Sequence, residues 1–279
     1  MTGIINVARL TLYEARRRRI MLAAAVCGTG FLAVFGIGLF FVHRSTLAGS
    51  VPLLQQRVEA IFITISGLYV ENFLMVAMAV LLSVDTLSGE IASGVIDTLA
   101  SKPIHRAEIV LGKWLAYWLL MVAYLVLLVI GLVTIVWAIT GFRQPNIGRA
   151  LPLMALEGTV LLTISIAGGT TLSTVTNGIV AFGFFGLAFA GGVVEQIGLV
   201  TGNLAARNIG TAVSLISPGD ALWRMAAYYL QPPLERDLQT AALYFATRSA
   251  PTPAMIVWAV AFILAALLFA LRQFQRRPL

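Results

Sequence analysis

The chain has 279 residues, of which 59% are hydrophobic and 11% charged, with a mean hydropathy of +0.92. One soluble core of that size cannot bury so much apolar surface, so lipid must solvate the excess and a soluble globular protein is excluded. The formal charge of +7 does not point to nucleic acid, because the basic residues gather at the edges of apolar runs, where anionic headgroups lie.

At the start of the chain, Ile4, Ile5, Ala8, Leu12 and Ala15 recur at helical spacing and lead into the block Arg16 to Arg19. An apolar stripe beside basic residues predicts an amphipathic elbow helix over 1–19, lying in the headgroup layer. The single cysteine, Cys27, falls inside the next apolar run and can form no internal disulfide.

Crossing a hydrocarbon core as a helix takes about 20 apolar residues. Six runs meet that length: Ile20–Val42, Ile61–Val84, Lys113–Thr140, Ala150–Thr174, Gly178–Val200 and Ala254–Leu271. The stretch 151–200 is too long for one crossing, and Thr174-Val175-Thr176-Asn177-Gly178 is its turn-forming interruption, so the division is placed there. The expected fold is an all-α membrane protein of six transmembrane helices, forming a single domain over 1–279.

Six crossings put both termini on one side. That side would hold Arg9, Arg16 to Arg19, Lys102, Arg106, Lys113, Arg272, Arg276 and Arg277, against Arg44, Arg57, Arg143, Arg149, Arg207, Arg224, Arg236 and Arg248 on the other, eleven against eight. Five of the first set precede the first crossing, where orientation is usually decided, so both termini are expected in the cytoplasm and the chain in the cell membrane.

The connection 85–112 is expected to be cytoplasmic and to carry a short helix, with Ile91, Val95 and Leu99 on one face and Glu90, Ser93 and Asp97 polar. Pro103 breaks that helix, because a proline pushes the preceding residue toward extended geometry. The chain then re-enters through Arg106, Glu108 and Ile109. Such a turn against the bilayer offers apolar residues to insert into a soluble partner and charges to fix register.

In the outer segment 201–253, Ser217 can cap a helix, Pro218 suits its first position and Asp220 sits three residues after the cap. Leu222, Trp223, Ala226, Ala227 and Leu230 then form one face until Pro232-Pro233, and Leu234, Leu238, Ala241, Ala242 and Phe245 form a second. Two short outer helices that cap or dip into the outer leaflet follow from this, with Trp223, Tyr228 and Tyr229 suited to a membrane interface.

Three carboxylates, Glu71, Glu157 and Glu195, lie within apolar runs, where charge is costly and faces protein or water. They are either a pathway for a cationic or polar substrate or partners in helix–helix hydrogen bonds. Gly186, Ala188, Ala190, Gly191 and Gly192 would let another helix approach closely, in a dimer or within the chain. Met75, Met78 and Met121 have no paired His or Cys and read as core filler rather than copper ligands.

The connection resembles that of the membrane permeases of ABC-type exporters. This is a six-crossing family that includes the permease of nitrous-oxide reductase maturation and many drug and polysaccharide exporters. The matching residues are Gly89, Glu90, Gly94, Ile96, Asp97, Pro103, Arg106, Gly112 and Lys113. The family commonly has Thr where this chain has Val95. Ser217-Pro218-Gly219-Asp220 looks like the turn often found in the family's last outer loop.

The resemblance implies a permease that dimerises with itself or with a second permease and takes the work of ATP hydrolysis from separate cytoplasmic ATPase chains. Coupling would run through Glu90, Gly94, Asp97, Pro103 and Arg106. ATP and magnesium would sit on the partner, and no cofactor is expected in this chain. It has no G-x-x-x-x-G-K-[ST] loop, since Gly112-Lys113 is followed by Trp114, so it is not expected to be an enzyme. Besides the ATPase and the second permease chain, membrane lipids are expected as partners.

Two rival readings are a secondary transporter, which repeated halves would favour, and an intramembrane enzyme, which needs converging catalytic groups. The chain shows no convincing repeat, and no H-E-x-x-H or G-x-S-x-G occurs in it.

Overall fold

A computed structural model describes residues 2–49, 52–89, 105–231 and 251–276. Among the described residues the chain forms nine helices and no strand. Six of the helices are long and apolar enough to cross a membrane. The end of the bundle that carries both termini is called the terminal face here, and the other end the far face.

Helix α1 (Thr2–Arg17) is amphipathic, and it buries Val7, Ala8, Thr11 and Ala15 while Ile5 stays exposed. The stripe expected to include Ile5 is therefore turned, because α1 packs on protein as well as lying at a surface. Its seat is the start of α4 (Arg106–Thr140), where Gly112 allows close approach. A Cβ at Gly112 would lie 2.7 Å from the Val7 Cβ and 2.9 Å from the Ile4 carbonyl oxygen. Arg18, in extended geometry, separates α1 from α2 (Arg19–Ala48).

Helix α2 buries only Gly28 and Leu39 and leaves most of its apolar surface outward, as a lipid-facing span does. Cys27 is on that outward surface and not in the packing. Helices α3 (Leu53–Ser83), α4 and α5 (Ile147–Gly169) make the centre, and α5 is buried along most of its length. The Met75 and Met121 sulfurs close over Gly158, which confirms those methionines as core.

The break between the fourth and fifth spans is not where the sequence suggests. It falls at Thr170 to Ser173, and α6 runs Thr174–Thr201 with Asn177 inside it. Asn177 is fully buried, and its amide nitrogen donates to the carbonyls of Val84 (3.2 Å) and Ser165 (2.8 Å). Its polar group ties α3 and α5 to α6 instead of opening a turn.

Gly202, at φ 69°, ends α6, and the Asn203 side chain accepts from the N–H groups of Ala205 and Ala206 to cap α7 (Leu204–Ile216). Helix α7 doubles back along α6, and α8 (Gly219–Leu230) returns along α5. The Ser217 hydroxyl donates to the Phe184 carbonyl at 3.1 Å. Phe184 lies 17 residues before the end of α6, roughly 25 Å down that helix, so the turn of the hairpin is deep in the bundle. At the far face Gln144 and Asn146 donate to the carbonyls of Leu230 and Tyr229 and hold the returning end.

This re-entrant pair corrects the outer segment in three respects. Helix α8 begins where expected, but Ser217 bonds to α6 and does not cap it. Trp223 is buried against Tyr69 and is no interface anchor. Helix α7 was not expected at all, while the second expected helix, Leu234 to Phe245, lies outside the described residues. Helix α9 (Ala254–Arg276) completes the bundle against α5 and α4.

Candidate functional site

Among the described residues, polar groups gather at the terminal face and in the cleft beneath the hairpin, as well as in a surface pocket between α2 and α3 that includes His43, Arg57 and Glu59. Glu90, Gly94, Asp97 and Pro103 lie outside the described residues, so only the two roots of the connection, at the terminal face, are placed. The first root is bonded to α6. Thr174 donates to Asp85 at 3.1 Å, and its hydroxyl lies 2.9 Å from that of Ser88. The second root is bonded elsewhere: Arg106, the first residue of α4, donates to the Gln275 carbonyl of α9 at 3.3 Å. Glu108 accepts from the His105 N–H and packs against Gly3 of α1. One root thus belongs to α3 and α6, the other to α1, α4 and α9.

The cleft is built by α3, α5, α6 and the hairpin. Arg224, on α8, reaches Glu195 of α6 at 3.0 Å, Asp220 one turn earlier at 2.7 Å and the Ser214 hydroxyl of α7 at 3.0 Å. An ion pair this far from water holds only when its donors and acceptors are matched, and here three acceptors share one guanidinium. Gly192 is required opposite, since any side chain there would run into the Asp220 carboxylate.

Glu157, on α5, is 1% exposed and accepts from the Asn72 amide at 2.9 Å. Glu157, Asn72 and Asp220 border a cavity of about 10 Å³, the room of one water molecule. Aromatic rings close its other sides. Tyr69 lies 5.4 Å from Trp223 and 6.2 Å from Phe189, and Phe73 lies 5.9 Å from Phe185.

The three intramembrane glutamates are therefore not one group. Glu157 and Glu195 both lie near Asp220, whereas Glu71 lies nearer Tyr124 of α4 and is fully buried with neither oxygen bonded among the described residues. Both earlier alternatives, pathway and hydrogen-bonding partner, are represented: Glu195 is ion-paired and Glu157 hydrogen-bonded, yet Glu157 also borders a cavity. Of the small residues, Ala188, Gly191 and Gly192 are buried, with Gly191 under Val213, and serve packing within the chain, while Gly186 and Ala190 are exposed.

The family model for the ABC-2 family transporter protein matches residues 5–279. The chain belongs to the ABC-2 transporter family. It is accordingly a multi-pass membrane permease subunit of ABC type, as the resemblance of the connection implied. A comparison with curated proteins returned no match.

In this ABC-2 permease, sequence reasoning missed Asn72, Ser214 and the pairing of Asp220 with Arg224. The i, i+4 spacing of Asp220 and Arg224 was a readable signal. Their third partner, Glu195, lies on another helix, and only the fold of the hairpin brings it near.

Proposed function

We propose that this ABC-2 permease is the membrane half of an exporter, driven by separate cytoplasmic ATPase chains that dock on the connection 85–112. Both termini would face the cytoplasm, and two permease chains, identical or different, would work with two ATPases. ATP and magnesium belong to those partners. The substrate would pass the cleft under the hairpin.

The observation that carries this reading is the division of the connection's roots. Asp85 and Ser88 are bonded to α6, and Arg106 is bonded to α9 while α4 carries α1. A push on the connection would act on two sets of spans at once, and the first of them, α3 with α6, supplies two walls of the cleft. Arg224 and Lys113 are both buried in the bundle, and without them the basic residues stand ten to seven, still in favour of the terminal face.

The narrower likeness to the permease of nitrous-oxide reductase maturation rests on the connection alone. The test of docking is co-purification. The tagged chain should bring down an ATPase, and the double change Glu90→Arg with Arg106→Glu should release it while the permease stays folded in the membrane. A normal complex from the double variant would contradict docking at this connection.

A further inference from the structure

We infer that the cleft beneath the hairpin receives the cationic head of an amphiphile, an ammonium or similar group carried on an apolar body. This rests on the permease reading and adds a substrate class to it.

The first ground is charge. Within the cleft one guanidinium, Arg224, faces the carboxyl groups of Asp220 and Glu195, and Glu157 lies beside Asp220. Helix α3 contributes Tyr69 and Asn72 to the cavity but no basic side chain. The bundle therefore offers a surplus of acidic groups where lipid surrounds the protein, and a cation is the complementary guest.

The second ground is independent of the carboxylates. Asn72 is 3% exposed and borders the cavity, and its side-chain oxygen has no hydrogen-bond partner among the described residues. A buried acceptor is costly to leave unmade. Its nitrogen is already committed to Glu157, so the free oxygen turns its negative pole toward the cavity, where a positively charged guest meets it.

The third ground is the wall. Tyr69, Trp223, Phe189, Phe73 and Phe185 surround the acidic floor, and ring faces attract cations and apolar bodies alike. Phe73 and Phe189 are 46% and 41% exposed, so the mouth opens outward between α3 and α6. Those two helices touch each other little, while each packs firmly on other partners. The water-sized cavity is then the closed remainder of a cleft that widens when α3 and α6 part.

The probe is tetraphenylphosphonium, with tetraphenylborate as a guest of nearly the same shape and opposite charge. Binding is measured to the full chain in phosphatidylcholine nanodiscs, whose headgroups carry no net charge. Saturable binding of the phosphonium and not of the borate is expected. Glu157→Gln, which keeps the bond to Asn72, should weaken it about tenfold. Phe73→Leu, at a half-exposed site that tolerates the change, should weaken it about threefold. Glu71→Gln, outside the cleft, should leave it unchanged.

Equal binding of both probes overturns the inference, as does wild-type affinity in both Glu157→Gln and Phe73→Leu. If the phosphonium fails to bind while the chain still co-purifies with an ATPase, the substrate class falls and the permease reading stands. If no ATPase associates with the wild-type chain, the permease reading itself falls.

Discussion

Arg224 and Glu195 meet at 3.0 Å across two helices, one a membrane span and the other placed by the sequence in the outer segment 201–253. Their side chains are 7% and 17% exposed, so little water screens the pair. Breaking a buried pair from one side leaves its partner's charge without compensation, which costs about 3–5 kcal/mol. Arg224→Met should accordingly lower the thermal midpoint of the purified permease sharply. Adding Glu195→Gln and Asp220→Asn should recover most of the loss. A midpoint unchanged by Arg224→Met would mean that the hairpin is not held this way.

Glu71 predicts the opposite sign. A fully buried carboxyl group with no bond among the described residues contributes no favourable contact, and its burial is a cost. Glu71→Leu should leave stability unchanged or raise it by about 1 kcal/mol, read as the thermal midpoint in detergent. A clear fall would reveal a partner that supports Glu71.

Gly112 is the hinge of a third expectation, at the junction of α1 with α4. A side chain at this position meets the Ile4 carbonyl, which is backbone and cannot swing aside. Gly112→Leu should lift α1 from its seat while the six spans remain. Protease cleavage within 2–17 should become faster, and hydrogen exchange there should rise. Unchanged protection of α1 would show that the contact is not what seats it.

Much of the fold is readable from the sequence, because six apolar runs in a lipid-soluble chain leave little freedom. Lys113 marks where the third run becomes apolar, and α4 starts at Arg106, where the chain was expected to re-enter as a helix. The turn between the fourth and fifth spans was misplaced because Asn177-Gly178 looks like a turn dipeptide, and local chemistry could not show that two carbonyls on other helices await that amide.

Helix α7 had a signal that went unread. Gly202 suits a helix end with positive φ, and Asn203 suits the start of the next helix. The site was harder to see. Asp220 and Arg224 are neighbours on one helix, but Glu195 and Glu157 reach them only through the depth of the hairpin, a property of tertiary packing and not of any local pattern.

The most direct test of the central claim is ATP hydrolysis by the purified chain in nanodiscs, alone and together with the ATPase that co-purifies with it. The account predicts no hydrolysis by the chain alone, and hydrolysis in the complex that Glu90→Arg with Arg106→Glu abolishes by releasing the partner. Turnover of ATP by the isolated chain would contradict it.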